Sequence, residues 1–248
     1  MATNTATATA ITTTTTEAAR GMIDAAALFR LMTWLSPSYP VGAYTYSHGL
    51  EWAVEEGAIR DRETLRVWLD GLLVHGAGRT DAILFRAAHA ATLGNDAARL
   101  DELAELAAAF QPTAERRLES LGQGRAFVAA TTGAFAAPRL AALAARQADA
   151  IAYPVAVAIA AAEAGIDVDA ALAAYLHGFA ANLVSAGVRL VPLGQSAGIA
   201  TLAALEPVIA AMVETSRALG LDDLGGATVL SDISSMRHET QYTRLFRS

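Results

Sequence analysis

The chain has 248 residues, 54% hydrophobic and only 17% charged, with a formal net charge of -7. Every basic residue is Arg and there is no Cys, which excludes disulfides and thiolate metal sites. The acidic balance also argues against a nucleic-acid surface, which needs a basic face to displace phosphate counterions.

The first sixteen residues, MATNTATATAITTTTT, lack the basic start and apolar stretch of a signal peptide, and residues 1–20 read as a disordered lead. After Asp24, Leu28, Leu31, Met32 and Leu35 fall at helical spacing, a stripe ended by SPSYP. The segment SPSYPVGAYTYS reads as a loop, and a second helix is expected from an N-cap at Ser47 to Gly57. Asp61 caps a helix with the stripe Leu65, Trp68, Leu69 and Leu72; Leu100, Leu103, Ala107 and Phe110 line another, closed by Pro112. A segment from Ala114 through Phe127 is interrupted by AAPRL, and Pro154 suits the first turn of a helix ending near Gly165. The longest stripe follows Asp169 (Leu172, Tyr175, Leu176, Phe179, Leu183, Ala186, Leu190) and stops at Pro192. Two more helices are expected, from Gln195 and from about Pro207.

No stretch alternates apolar and polar residues at strand length, and Ala, the dominant apolar residue, favours helix. The fold class is therefore all-α: a single-domain bundle of roughly nine or ten helices. It divides into the lead (1–20), a helical domain (21–230) and a C-terminal tail (231–248). The most apolar run, IAYPVAVAIAAA (151–162), is shorter than the roughly 18 residues of a spanning helix, so no membrane partner is expected and a cytoplasmic location is.

Two regions concentrate chemistry-bearing side chains. In the tail, His238-Glu239 and Tyr242 occupy the spacing of a zincin helix with its second His replaced, and Tyr is a poor zinc ligand. In a helical tail His238, Tyr242 and Leu245 would share one face and Arg237, Gln241, Arg244 and Ser248 another. Such a face has the composition of an interface hot spot, and a solvated helix end reads equally well. In the loop, Tyr44, Tyr46, Ser47 and His48 crowd together without a nucleophile elbow. His75, His89 and His177 lack a second ligand at metal spacing. From the residues alone this is an interaction protein rather than an enzyme, with a small acid-base enzyme and a helical ligand-binding module as the alternatives.

Three stretches, SPSYPVGAYTYSHGLEWAVEEG (36–57), RLVPLGQSAG (189–198) and DISSMRHETQYTRLFRS (232–248), together resemble the urease accessory protein UreF family. The resemblance implies an all-helical, non-catalytic scaffold that dimerises and takes part in nickel delivery to apo-urease. It implies binding to the UreD (UreH) accessory protein and recruitment of the UreG GTPase. No cofactor is expected to stay bound, and nickel would pass only transiently through the complex. By position, Tyr44 and Arg244 match residues used around partner recruitment, and Tyr46 and His48 belong to the same loop. Gln195 matches the PLGQ turn. Arg237, His238, Glu239, Tyr242 and Phe246 belong to a tail motif expected to be mobile alone and ordered on UreD/UreH.

Overall fold

In the computed structural model, residues 24–147 and 149–247 are described. The expected lead, 1–20, and Ser248 lie outside them. Among the described residues there are no strands; ten helices of nine or more residues and one of six make an all-α fold.

Helix α1 (Ala25–Trp34) starts where Asp24 accepts hydrogen bonds from the Ala26 and Ala27 N–H groups. Its buried face is Ala27, Leu31 and Trp34, with the Trp34 ring set edge-on against Phe127 and Phe135. Leu28 and Met32, expected to face inward, are exposed beside Phe29. An apolar pattern on two faces cannot say which one the core takes.

The second helix is shorter than expected: α2 (Leu50–Glu55) has Gly49 rather than Ser47 at its N-cap. His48 and Gly49 both adopt the left-handed region, with φ of 62° and 77°, so the chain bends sharply just where a helix was expected to start. Helix α3 (Arg62–His75) begins at Asp61 as expected, in a capping box with Thr64, and buries Leu65, Leu69 and Leu72.

Helix α4 (Ala77–Leu93) has no counterpart among the expected elements. It buries Thr80, Ile83, Leu84, Phe85, Ala88 and His89 around most of its circumference, so it carries no single stripe for periodicity to find. It packs along α8 (Tyr153–Glu163), whose residues Pro154 through Ala162 are all buried, and this pair forms the centre of the core. His89 is a satisfied core imidazole, with Nε2 3.0 Å from the Ile166 carbonyl oxygen, while His75 and His177 are exposed.

Around the central pair lie α5 (Ala97–Ala109), α6 (Ala114–Ala134), α7 (Pro138–Arg146) and α9 (Val168–Leu190). Phe110 ends α5 as its C-cap and is exposed rather than part of its buried stripe. Helix α6 runs past Phe127 to Ala134. The N-cap of α9 is Asp167, not Asp169; Asp169 instead pairs with Arg86 and Arg217.

The two helices expected around Pro207 are one, α10 (Gln195–Ser216), with Pro207 inside it. Burial of Leu205, Ile209, Met212 and Val213 on both sides of the proline outweighs the lost hydrogen bond. Helices α9 and α10 are long and apolar enough to cross a membrane by length and composition, but here they pack against each other and against α3. Helix α11 (Val229–His238) runs through the boundary drawn at residue 230, so the tail begins inside a helix.

Candidate functional site

The buried face of α11 is polar and its exposed face is apolar. Ser231, Ser234, Ser235 and His238 face inward, whereas Val229, Leu230, Ile233 and Met236 are exposed. The inward face is built for close approach. A Cβ on Gly49 would sit 2.8 Å from the Ser235 backbone nitrogen, so the start of α2 lies directly on the α11 backbone. Thr113, the N-cap of α6, accepts from the Arg116 N–H and hydrogen-bonds the Ser235 hydroxyl at 2.7 Å. Thr113→Ala should cost about 1–2 kcal/mol, because it removes a cap and strands a buried hydroxyl, while Thr113→Ser should keep wild-type stability in urea unfolding.

At the C-terminal end of α11 the completely buried His238 lies between two carboxylates. Its Nδ1 is 2.8 Å from Glu115 Oε2, and its Nε2 is 3.1 Å from Glu51 Oε2. Both carboxylates are themselves buried. Burial pulls the imidazole pKa down, but the hydrogen bonds to Glu115 and Glu51 outweigh it and hold the pKa above the usual histidine value.

Beyond His238 the chain leaves the helix, so the two helical faces drawn for a fully helical tail do not form. In this structure the tail is seated on its own body. The N–H groups of Leu245 and Phe246 donate to Glu51 at 2.7 and 3.0 Å, and Arg244 donates to Glu115 at 3.2 Å. Gln241 reaches Glu55. Phe246 is buried beneath the Arg189 guanidinium, 4.4 Å from the ring centroid, and the Arg247 N–H donates to the Thr45 carbonyl. Arg189 also donates to the Tyr44 carbonyl, which ties the aromatic loop to the tail.

The residues expected to contact partners therefore divide in two. Tyr44, Gln195, Arg237, Glu239, Tyr242 and Arg244 are at least partly on the surface, Tyr242 fully so. Tyr46, His48, His238 and Phe246 are buried and, in this conformation, can act only from beneath. Glu51, Glu115 and Arg189 organise the corner and were not anticipated. Their partners lie more than a hundred residues away in sequence for the two carboxylates, beyond any local spacing rule.

The zincin geometry is absent, since both His238 nitrogens face carboxylates and Tyr242 points to solvent. Among the described residues, no group of three His, Asp or Glu side chains is arranged to hold a metal ion. His48 is buried edge-on to Phe179 and 3.3 Å from Glu119, in a wall shared by cavities of about 230 and 150 Å³. Asp81 lines both cavities; burial lifts its pKa to about 7, against a hydrogen bond from the Tyr175 hydroxyl that lowers it.

Comparison with known proteins gives this corner its context. The UreF family model matches residues 59–206, more than half of the chain. The chain belongs to the UreF family. A urease accessory protein UreF from Rhodopseudomonas palustris (strain BisB5) is 49% identical over 235 residues, covering 95% of this chain and 97% of the relative. Another, from Methylorubrum populi, is 52% identical over 227 residues, covering 92% of this chain and all of the relative. These UreF relatives carry the name of an accessory protein, not of a catalyst. The matched UreF segment starts after the aromatic loop and ends before α11, so the loop and the tail lie outside it, whereas Glu115 and Arg189, which hold them, lie within it.

Proposed function

We propose that this chain is a non-catalytic scaffold for urease maturation that binds a UreD/UreH-type accessory protein through α11 and the tail. The observation that carries this reading is the inverted polarity of α11. Its serine face serves close packing, and its apolar face, with Tyr242 and Leu245 beyond it, is left for another protein. Membership of a family named for urease accessory function supports the choice of partner. On this reading the protein acts in the cytoplasm as a homodimer, Tyr44 and Arg244 form the surface that recruits the UreG GTPase, and nickel is transient cargo on its way to apo-urease. Tyr44 is exposed and joined through Arg189 and Phe246 to the tail that carries Arg244, so one corner can serve both partners.

Removing residues 237–248 would not test this cleanly, because it strips His238 and Phe246 out of the body. Surface variants do. Ile233→Asp with Met236→Asp should leave stability within about 0.5 kcal/mol of wild type, yet abolish co-purification with the UreD/UreH protein. Tyr44→Ala with Arg244→Lys, which keeps the positive charge beside Glu115 but not the guanidinium fork, should keep that complex and lose the GTPase. Urease activation reconstituted from apo-urease, both partners, GTP and nickel should fail with either pair. Wild-type assembly and activation by the α11 pair would overturn the reading. The 230 Å³ cavity favours a second reading, a module for a small ligand, which mass spectrometry of the purified protein would detect.

A further inference from the structure

His238 and the tail share the same two acceptors. Glu51 faces His238 Nε2 and also accepts from the Leu245 and Phe246 N–H groups; Glu115 faces His238 Nδ1 and also accepts from Arg244. A charged imidazolium donates from both nitrogens, and the four charges of Glu51, Glu115, His238 and Arg244 then sum to zero. A neutral imidazole has one donor. Its other nitrogen turns a lone pair towards a carboxylate about 3 Å away, and a negative charge is left over in a buried site.

We propose that His238 is a protonation latch, whose charged form holds residues 239–247 on the body and whose neutral form lets them go. The partner face of α11 and the tail is then presented in its docked arrangement only while His238 is charged. This regulation rests on the reading of that face as the UreD/UreH site.

The surroundings agree with a latch centred on this residue. Glu51 is the charged group facing it from α2, Glu115 from α6 and Arg244 from the tail. On α11 itself Arg237 is exposed and Asp232 lies towards Arg116, and Glu239, the C-cap, is exposed. Farther along α6, Glu119 is engaged near Arg116 and His48. The sign follows from the raised pKa of the docked state. The latch is fully engaged below the ordinary histidine pKa of about 6.5 and is lost as pH rises through the higher docked value. Between the two, the ratio of docked to released tail should fall about tenfold per pH unit.

The chain has no Cys, so Tyr242→Cys places a single nitroxide label on the exposed part of the tail of the full-length protein. Its mobility, followed by electron paramagnetic resonance from about pH 6 to about pH 9, should go from restricted to free. His238→Gln should remove that transition. Glu115→Gln, which keeps the histidine but takes away one carboxylate, should move the midpoint to lower pH. Equal mobility across the range in the parent protein, or a transition that survives His238→Gln, overturns the latch. The second result would also catch a response from Asp81, which titrates in the same range but faces the cavities. In a parallel arm, binding of the purified UreD/UreH-type protein should weaken over the same interval. Failure to bind at any pH, with the label transition intact, removes the partner reading and leaves the latch supported. Equal binding throughout overturns the coupling between them.

Discussion

His238→Ala should lower the unfolding free energy at neutral pH by about 3–5 kcal/mol, the cost of removing one partner from a buried charge cluster. The two carboxylates it would leave behind are buried in the wild-type chain, and only Glu115 retains a second cation, Arg244. Urea unfolding followed by circular dichroism measures the loss. Because the damage is uncompensated charge rather than missing volume, adding Glu51→Gln and Glu115→Gln to His238→Ala should recover most of it. A loss below about 1 kcal/mol would mean that the carboxylates reach water by another route and that the cluster does not hold the structure together.

The second large effect is expected at Gly49. Gly49→Ala asks a residue with a Cβ to keep φ at 77°, which costs about 1–2 kcal/mol. The same Cβ would stand 2.8 Å from the Ser235 nitrogen and 3.0 Å from its Cα, atoms of a helix backbone that cannot turn aside. Overpacking adds about 1–3 kcal/mol. Gly42→Ala is the matched comparison, with φ of 71° and nothing within 4 Å of the added atom. It should show the backbone cost alone. Equal losses for the two variants, measured as shifts in urea midpoint, would show that α2 and α11 do not need to approach so closely.

The fold class could be read from composition and periodicity because helices with one wet face carry their own signal. Asp61 with Leu65, Leu69 and Leu72 is an example, while α8, buried on all sides, was marked instead by Pro154 in its first turn. Where a helix is buried on most sides, as in α4, or apolar on both, as in α1, periodicity cannot identify it or its inward face. Pro207 misled for a related reason, since core contacts on both sides override a local breaker. The site was half legible. The loop and tail stood out by residue type and by their resemblance to a known family. What they do to each other was hidden, because Glu51, Glu115 and Arg189 acquire their roles only through contacts made in three dimensions. The conditional case of a helical tail is not met over residues 239–247 for the same reason. Glu51 of α2 takes the Leu245 and Phe246 N–H groups, and Glu115 of α6 takes the Arg244 side chain.

The clasp around His238 also bears on how the protein is made. Glu51 and Glu115 are synthesised early, and the histidine that lies between them comes only after ten of the eleven helices. A nascent chain can bring α4 and α8 together before α11 has been made, and until residue 238 emerges it holds Glu51 and Glu115 with no imidazole between them. Closure of this corner therefore has to wait for residue 238, whereas the α4–α8 centre needs nothing beyond residue 163.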